Sequence, residues 1–167
     1  MAKKFGWVHI STGDLLRKRA RKGDRLGKEI NHIMHQGRLV PHWIQFTLIL
    51  SQIVQAGPKK NVIIDGSPRS LGEADMVDEG LSQIARNRLC VLYIHISERE
   101  AFRRLLKRGR SDDTKSAIKK RILYKKGVLL VVDHYAKKGV LIRINGEQAR
   151  DQVFNEIIKK LKAKRII

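Results

Sequence analysis

Two kinds of hydrophobic pattern alternate along this chain. Short apolar runs rich in β-branched residues predict strands at Trp7–Ile10, Val62–Ile64, Leu89–Ile96 and Val140–Ile144. Between them, apolar residues recur every three or four positions, which predicts helices with one buried face. Strands and helices that alternate in this way form right-handed βαβ units. We therefore expect an α/β fold in which helices cover both faces of a parallel sheet, giving three layers.

Local signals indicate where several helices begin and end. An apolar stripe predicts a helix that stops at Gly37, and Pro41 suits the start of the next, which we expect to span roughly His42 to Ala56. A further helix runs from Glu98 to Arg108 and stops at Gly109. Two segments resemble capping boxes, in which a serine and an acid three residues later cap a helix start: Ser11-x-x-Asp14 and Ser97-x-x-Glu100.

The size of the chain fits one domain. Its 167 residues, 42% of them hydrophobic, suffice for a sizeable core. The longest apolar runs, such as Val128–Val132, are far too short to span a membrane, and the first residues do not resemble a signal peptide. The single cysteine, Cys90, allows no internal disulfide and no cysteine-rich zinc site. We therefore expect a cytoplasmic protein that does not bind membranes.

The charge of the chain is strongly positive. Thirty-six Lys and Arg residues against 16 Asp and Glu residues give a formal charge of +20, which attracts nucleotides, nucleic acids and other polyanions. The basic residues are scattered, however, and aromatic residues make up only 5% of the chain, so a platform for stacking single-stranded nucleic acid is not evident. Nucleic acid is therefore a less favoured partner than a nucleotide.

The segment after the second predicted strand carries candidate chemistry. Val62–Ile64 resembles a buried parallel strand, Asp65 follows it, Gly66 and Pro68 favour a turn, and Arg69 lies just beyond. Ligands of open α/β sheets bind at the carboxyl ends of strands, where an acid and a guanidinium suit magnesium-bound and free phosphate. The alternative is a strand cap with an ordinary Asp–Arg surface pair.

Two further clusters suit anions. The first, from His9 to Arg17, is a strand that leads directly into a capped helix start, where backbone N–H groups favour an anion; Thr12 and Gly13 lie at that start. The alternative is a well-capped helix whose arginine faces water. In the second, Arg110-Ser-Asp-Asp113 precedes Arg121, and the aspartates orient the arginines or hold them apart. Here the alternative is that the acids only suit a helix dipole.

Together these segments resemble a family. The order and spacing of five motifs are similar to those of adenylate kinase and its nucleoside monophosphate kinase relatives, which have a P-loop NTPase-like kinase core. The motifs are Ser11-Thr-Gly-Asp-Leu-Leu-Arg17, Gly37-Arg-Leu-Val40, Asp65-Gly-Ser-Pro-Arg69, Arg110-Ser-Asp-Asp113 and Arg121. The segment Asn145-Gly146-Glu147, followed by an amphipathic helix, also resembles the end of that fold.

The resemblance implies a specific activity, the magnesium-dependent transfer of the terminal phosphoryl group of ATP to AMP. It implies a monomer of one domain, with a helical monophosphate-binding insertion at residues 14–57 and a very short lid at 106–114. It implies catalytic roles for Arg69, Arg110 and Arg121, and a magnesium site at Asp65 through water. The implied monophosphate site is Thr12, Arg17, Leu39, Val40, Gly66, Arg69 and Glu73, and the implied ATP site is Arg108, Arg110, Arg121 and Gly146.

Two departures from the family affect these expectations. Glu73 stands where adenylate kinases usually carry a glutamine that reads adenine. A carboxylate accepts from the adenine amino group but cannot donate to a ring nitrogen, and it can instead accept two hydrogen bonds from guanine. AMP remains the first choice and GMP the alternative. The second departure is that these 167 residues contain no Gly-rich phosphate loop ending in Gly-Lys-Gly-Thr.

That loop follows a first strand in the middle of the family's sheet, and we expect this chain to lack both. Exposing about five to ten buried backbone groups on the neighbouring strands, at about 1–3 kcal/mol each, would cost on the order of 10 kcal/mol. Either the neighbours close the gap, or water fills it, or the chain is a shortened reading of a longer gene, which we favour. We therefore expect impaired phosphoryl transfer. The alternatives are a non-catalytic monophosphate-binding module and a basic protein that associates with nucleic acid.

Overall fold

The computed structural model describes every residue except Ala85 and Asn87. Helices and strands alternate along the chain as the sequence predicts. The strands are β1 Val8–Ser11, β2 Val62–Asp65, β3 Val91–His95 and β4 Leu141–Asn145. The helices are α1 Ala2–Phe5, α2 Thr12–Ala20, α3 Arg25–His35, α4 His42–Ala56, α5 Leu71–Gln83, α6 Glu98–Arg108, α7 Lys115–Leu123, α8 Lys125–Lys137 and α9 Arg150–Ala163.

The strands form two separate parallel pairs. In the first pair Val8 lies opposite Val62, and in the second Val91 lies opposite Leu141. The predicted α/β class with parallel strands is confirmed. No backbone hydrogen bond among the described residues joins β2 to β3, so the first of the three alternatives, that neighbouring strands close the central gap, is wrong.

Helix ends follow the local signals closely. Helix α4 begins at His42, immediately after Pro41, and ends at Ala56, as the sequence predicts. Ser11 and Ser97 cap α2 and α6 by accepting hydrogen bonds from the N–H groups three residues later. The capping boxes are formed only by half, because the Asp14 carboxylate binds Arg17 instead of returning to the serine N–H.

One glycine is required by both conformation and space. Gly37 has a φ of 69°, which glycine adopts without strain. A Cβ atom there would lie 2.6 Å from the Ala117 backbone. The end of α3 thus fits tightly against α7, and this contact brings the helical region next to the arginines that follow α6.

Separate apolar clusters surround the gap. Leu16, Ile30, Ile33, Val40 and Ile44 form the core of α2, α3 and α4. Two further clusters join the strand pairs through α5. Ala74 of α5 packs with Val131 and Tyr135 of α8, against which β3 and β4 also pack, and Leu81 of α5 belongs to the cluster of β1 and β2. Helices α5 and α8 therefore hold the two pairs beside each other although the strands themselves do not meet.

Candidate active site

A cavity of about 470 Å³ lies between the two strand pairs. Its walls are apolar side chains of β2, β3 and α8, such as Ile64, Leu92 and Val131. Its polar end is formed by Asp65 at the end of β2, Arg69 in the turn that follows, Arg121 of α7 and Lys125 of α8. The cavity therefore combines an apolar slot with a charged rim.

The turn after β2 is fastened by its own side chains. The Arg69 Nε group donates to the Gly66 carbonyl at 2.6 Å, and the Arg69 N–H donates to Glu73 Oε2 at 2.7 Å. The Ser67 hydroxyl donates to the same carboxylate oxygen at 3.1 Å. Glu73 is only 4% exposed, and its other oxygen accepts from Gln45 Nε2 at 3.3 Å. Glu73 thus holds the turn that carries Arg69.

Two aspartates hold two of the predicted arginines. Asp113 accepts from Arg108 Nε at 2.7 Å and from Arg121 at 2.6 Å, and Asp112 accepts from Arg121 at 2.6 Å. Burial raises the pKa of Asp113, but the hydrogen bonds and charges of Arg108 and Arg121 outweigh it and leave this pKa below its usual value. The aspartates therefore orient the arginines, which is one of the two roles that the sequence suggests.

The pKa of Arg69 responds to burial and to the charges of Arg108, Arg121, Asp65 and Glu73. Burial lowers the pKa of the Arg69 guanidinium. The positive charges of Arg121 and Arg108 lower this pKa further, whereas the negative charges of Glu73 and Asp65 raise it. Like charges held this close repel one another and attract a polyanion such as phosphate. The structure thus brings Arg69, Arg108 and Arg121 together at the carboxyl ends of the strands.

Arg17 lines a second, more polar cavity of about 380 Å³ between α2, α3 and residues 111–112. Its guanidinium binds the Asp14 carboxylate at 2.5 Å. This hydrogen bond is the main cause of the lowered pKa of Asp14, and the charge of Arg110 contributes to it. Arg110 itself is exposed.

Thr12 has a buried hydroxyl without a hydrogen-bond partner. The residue is 2% exposed, and its Oγ1 atom contacts no donor or acceptor among the described residues. It lies next to the turn after β2, since a Cβ atom on Gly66 would lie 3.7 Å from Thr12 Cβ and 3.1 Å from the Arg69 guanidinium. An unpaired buried hydroxyl is costly unless a ligand or water meets it.

The remaining predicted residues are placed less centrally. Leu39 lines the cavity, and Val40 is buried with its carbonyl accepting from Gln45 at 2.6 Å. Gly146 lies against Ile94 at the carboxyl end of β3, and no contact among the described residues joins it to Arg108, Arg110 or Arg121. Asp65 is exposed. No group of three or more His, Cys, Asp or Glu residues within the described ranges could hold a metal ion.

Sequence reasoning missed two residues that build the site. Gln45 is buried and connects Val40 to Glu73, and Lys125 lies on the rim, 3.5 Å from Glu98. A glutamine within the otherwise apolar face of α4 was a signal for the first, because buried polar side chains need partners. Lys125 carried no signal, since it is one of many lysines in a basic chain.

The fold and the site define a class. Parallel strands carry basic side chains and a carboxylate at their carboxyl ends, next to a buried hydroxyl without a partner among the described residues. Nucleotide phosphotransferases build phosphate sites from such an arrangement.

Comparison with known proteins identifies the family. The family model described as adenylate kinase matches residues 1–140. The adenylate kinase of Prochlorococcus marinus is 36% identical over 162 residues, covering 96% of this chain and 88% of that protein. That of Thermus thermophilus is 34% identical over 94% of this chain and 84% of its own length. Adenylate kinase isoenzyme 1 of Cyprinus carpio is 34% identical over 96% and 84%. The chain belongs to the adenylate kinase family of nucleoside monophosphate kinases.

The family assignment confirms the resemblance that the motifs indicate, including the class of enzyme. None of the described helices is long and apolar enough to cross a membrane.

Proposed function

We propose that this chain transfers the terminal phosphoryl group of ATP to AMP, giving two ADP molecules, and that it does so slowly. The observation that carries the proposal is that Arg69 and Arg121 lie beside Asp65 on one cavity rim, while Asp113 accepts hydrogen bonds from both Arg121 and Arg108. Phosphoryl transfer depends mainly on in-line positioning and neutralisation of charge, and arginines in this arrangement supply both.

The monophosphate binds on the side of α2 and the turn after β2. Arg69 meets its phosphate, and Arg17 reaches it from α2. The Thr12 hydroxyl, which has no partner among the described residues, donates or accepts a hydrogen bond with the ligand. Leu39, Val40 and Gly66 form the surrounding wall. This placement is supported by the packing of Thr12, Gly66 and Arg69 against one another.

The second nucleotide binds on the side of α6 and α7. Arg108, Arg110 and Arg121 surround its phosphates, and Gly146 lies near its base. Because Asp112 and Asp113 already bind Arg108 and Arg121, the nucleotide meets guanidinium groups that are held in place. ATP brings a magnesium ion with it as part of the substrate, and Asp65 contacts that ion through water. A single carboxylate suits this role, since magnesium keeps several waters and binds through few carboxylates.

We infer the slow rate from the groups that residues 1–167 provide to bind the ATP phosphates. No Gly-rich loop with a lysine occurs in this sequence, so no cradle of backbone N–H groups surrounds the transferring phosphate. The cationic rim alone then supplies the binding. We further infer that the protein acts on its substrates in the cytoplasm.

AMP is the preferred monophosphate. Three donors already occupy the Glu73 carboxylate, namely the Arg69 N–H, the Ser67 hydroxyl and Gln45 Nε2. A carboxylate engaged in this way is poorly available to accept two hydrogen bonds from guanine. Base selection then depends on the wall around Val40, and GMP binds more weakly.

A coupled assay of ADP formation and calorimetry with AMP and GMP test the proposal. Arg69→Ala is expected to lower AMP affinity and turnover by about 100-fold, as removal of a charge-assisted phosphate contact does. Arg25→Ala is the matched control, because Arg25 is exposed and lines neither cavity. AMP binding without any turnover would favour the non-catalytic module. Absence of AMP binding, or equal effects of both substitutions, would refute the proposal.

A further inference from the structure

Gln45 is a buried polar side chain on an otherwise aliphatic helix face. It is 3% exposed, and the other buried residues that the structure describes in α4 are isoleucines. Its Nε2 group donates to the Val40 carbonyl at 2.6 Å and to Glu73 Oε1 at 3.3 Å. A carbonyl and an ionised carboxylate only accept hydrogen bonds, so the amide nitrogen must face them. Gln45 therefore connects α4 with the carboxylate that fixes the turn after β2.

The hydrogen bonds to Glu73 leave its carboxylate with room for one more donor. An ionised carboxylate has about four acceptor positions, two on each oxygen. Oε2 accepts from the Arg69 N–H at 2.7 Å and from the Ser67 hydroxyl at 3.1 Å, and these two donors fill it. Oε1 accepts from Gln45, which leaves one position on that oxygen. Without the Gln45 amide, Oε1 would have two open positions.

The number of open positions on Oε1 separates the two purine bases. Adenine has one donor group on its Watson–Crick edge, the amino group, whereas guanine has two neighbouring donors, N1–H and the 2-amino group. One open position pairs with the adenine amino group but leaves one of the guanine donors unpaired. A site that leaves a buried polar group of the ligand unpaired discriminates against that ligand.

We infer that Gln45 is a positioning residue that sets base selection: by occupying Glu73 Oε1 and holding the Val40 carbonyl beside it, it favours AMP over GMP. The inference rests on the proposed function, since Glu73 and Val40 meet the base only if the monophosphate binds beside α2 and the turn after β2. Gln45 acts through Glu73 and not by contact with the phosphates. Its substitution should therefore change the ratio of the affinities for the two monophosphates.

Calorimetry with AMP and GMP on the full chain tests the inference. Gln45→Met keeps the length of the side chain but removes both donors, and it should raise the affinity for GMP relative to AMP by about tenfold. Adding Glu73→Gln to this variant should abolish the gain, because the gain requires the carboxylate. Gln55→Met is the matched control, since Gln55 lies exposed on the same helix and bonds only Gln52 and Ser51 among the described residues. An unchanged ratio in Gln45→Met, or a gain that persists without the carboxylate, would overturn the inference.

Partial unfolding of a variant does not change this ratio, because a lower folded fraction weakens both apparent affinities by the same factor. A second measurement needs no variant. In NMR spectra of the ¹⁵N-labelled parent, the side-chain amide signals of Gln45 should shift more at saturation with GMP than with AMP, since guanine competes for Glu73 Oε1. Equal shifts would overturn the inference. Absence of AMP binding to the parent would instead refute the proposed function, whereas AMP binding with an unchanged ratio would refute only the role of Gln45.

Discussion

The helical core of α2–α4 and the gap between the strand pairs are lined by similar aliphatic side chains, but only the first region is closed. Ile30 in that core is 0% exposed, whereas Ile94 beside the gap is 46% exposed. Helices satisfy their own backbone groups, so packing of side chains completes them. A strand needs neighbours on both sides as well as covered faces. The comparison shows that apolar composition alone does not make a core when a backbone edge is left unpaired.

The largest expected effect tests this comparison with one residue type. Ile30→Ala should lower the free energy of unfolding by about 3 kcal/mol, because it removes buried methyl groups and leaves a cavity. Ile94→Ala should cost about 1 kcal/mol, since nearly half of that side chain is already in water. Urea unfolding monitored by circular dichroism measures both. Equal losses would mean that the gap is closed in solution.

A second comparison concerns ion pairs in the two cavities. Arg121→Ala removes an ion-pair partner of Asp112 and Asp113, whose side chains are both largely buried. It should lower the free energy of unfolding by about 2 kcal/mol. Arg17→Ala removes a pair whose Asp14 side chain is 68% exposed, and should cost less than about 1 kcal/mol. The same urea measurement gives both values. A larger loss for Arg17→Ala than for Arg121→Ala would contradict the prediction that the more buried ion pairs contribute more stability.

The smallest expected effect is a change in pH dependence. The pKa of Asp113 is lowered in the folded protein. Its ionised carboxylate therefore contributes fully to the free energy of unfolding above the usual aspartate pKa of about 3.9. That contribution is lost as the pH falls through the lower pKa of the folded state. Asp113→Asn removes this titration. The variant should therefore lose less free energy of unfolding than the parent between pH 5 and pH 2. Parallel pH profiles for the two proteins would contradict the assignment of Arg108 and Arg121 as the cause.

Much of the site was accessible from the sequence, but its internal contacts were not. The motifs predicted that Arg69 and Arg121 belong to one site, and the structure places them on one rim. The sequence also suggested that Glu73 reads the base, which stays a prediction, and the structure adds a different role, because its carboxylate fixes the turn that carries Arg69. That difference was unpredictable, because it depends on Gln45, a residue 28 positions away that α4 brings to the same carboxylate.

The sequence by itself determined the helices, the strands and the family. Helix α4 could be bounded from Pro41 and the apolar period because capping and periodicity are local properties. Only the tertiary structure decided that the strands form two pairs with an open gap, and that Asp113 connects Arg108 with Arg121. Such features depend on contacts between distant segments, and their energies are set by burial and geometry that the order of residues does not reveal.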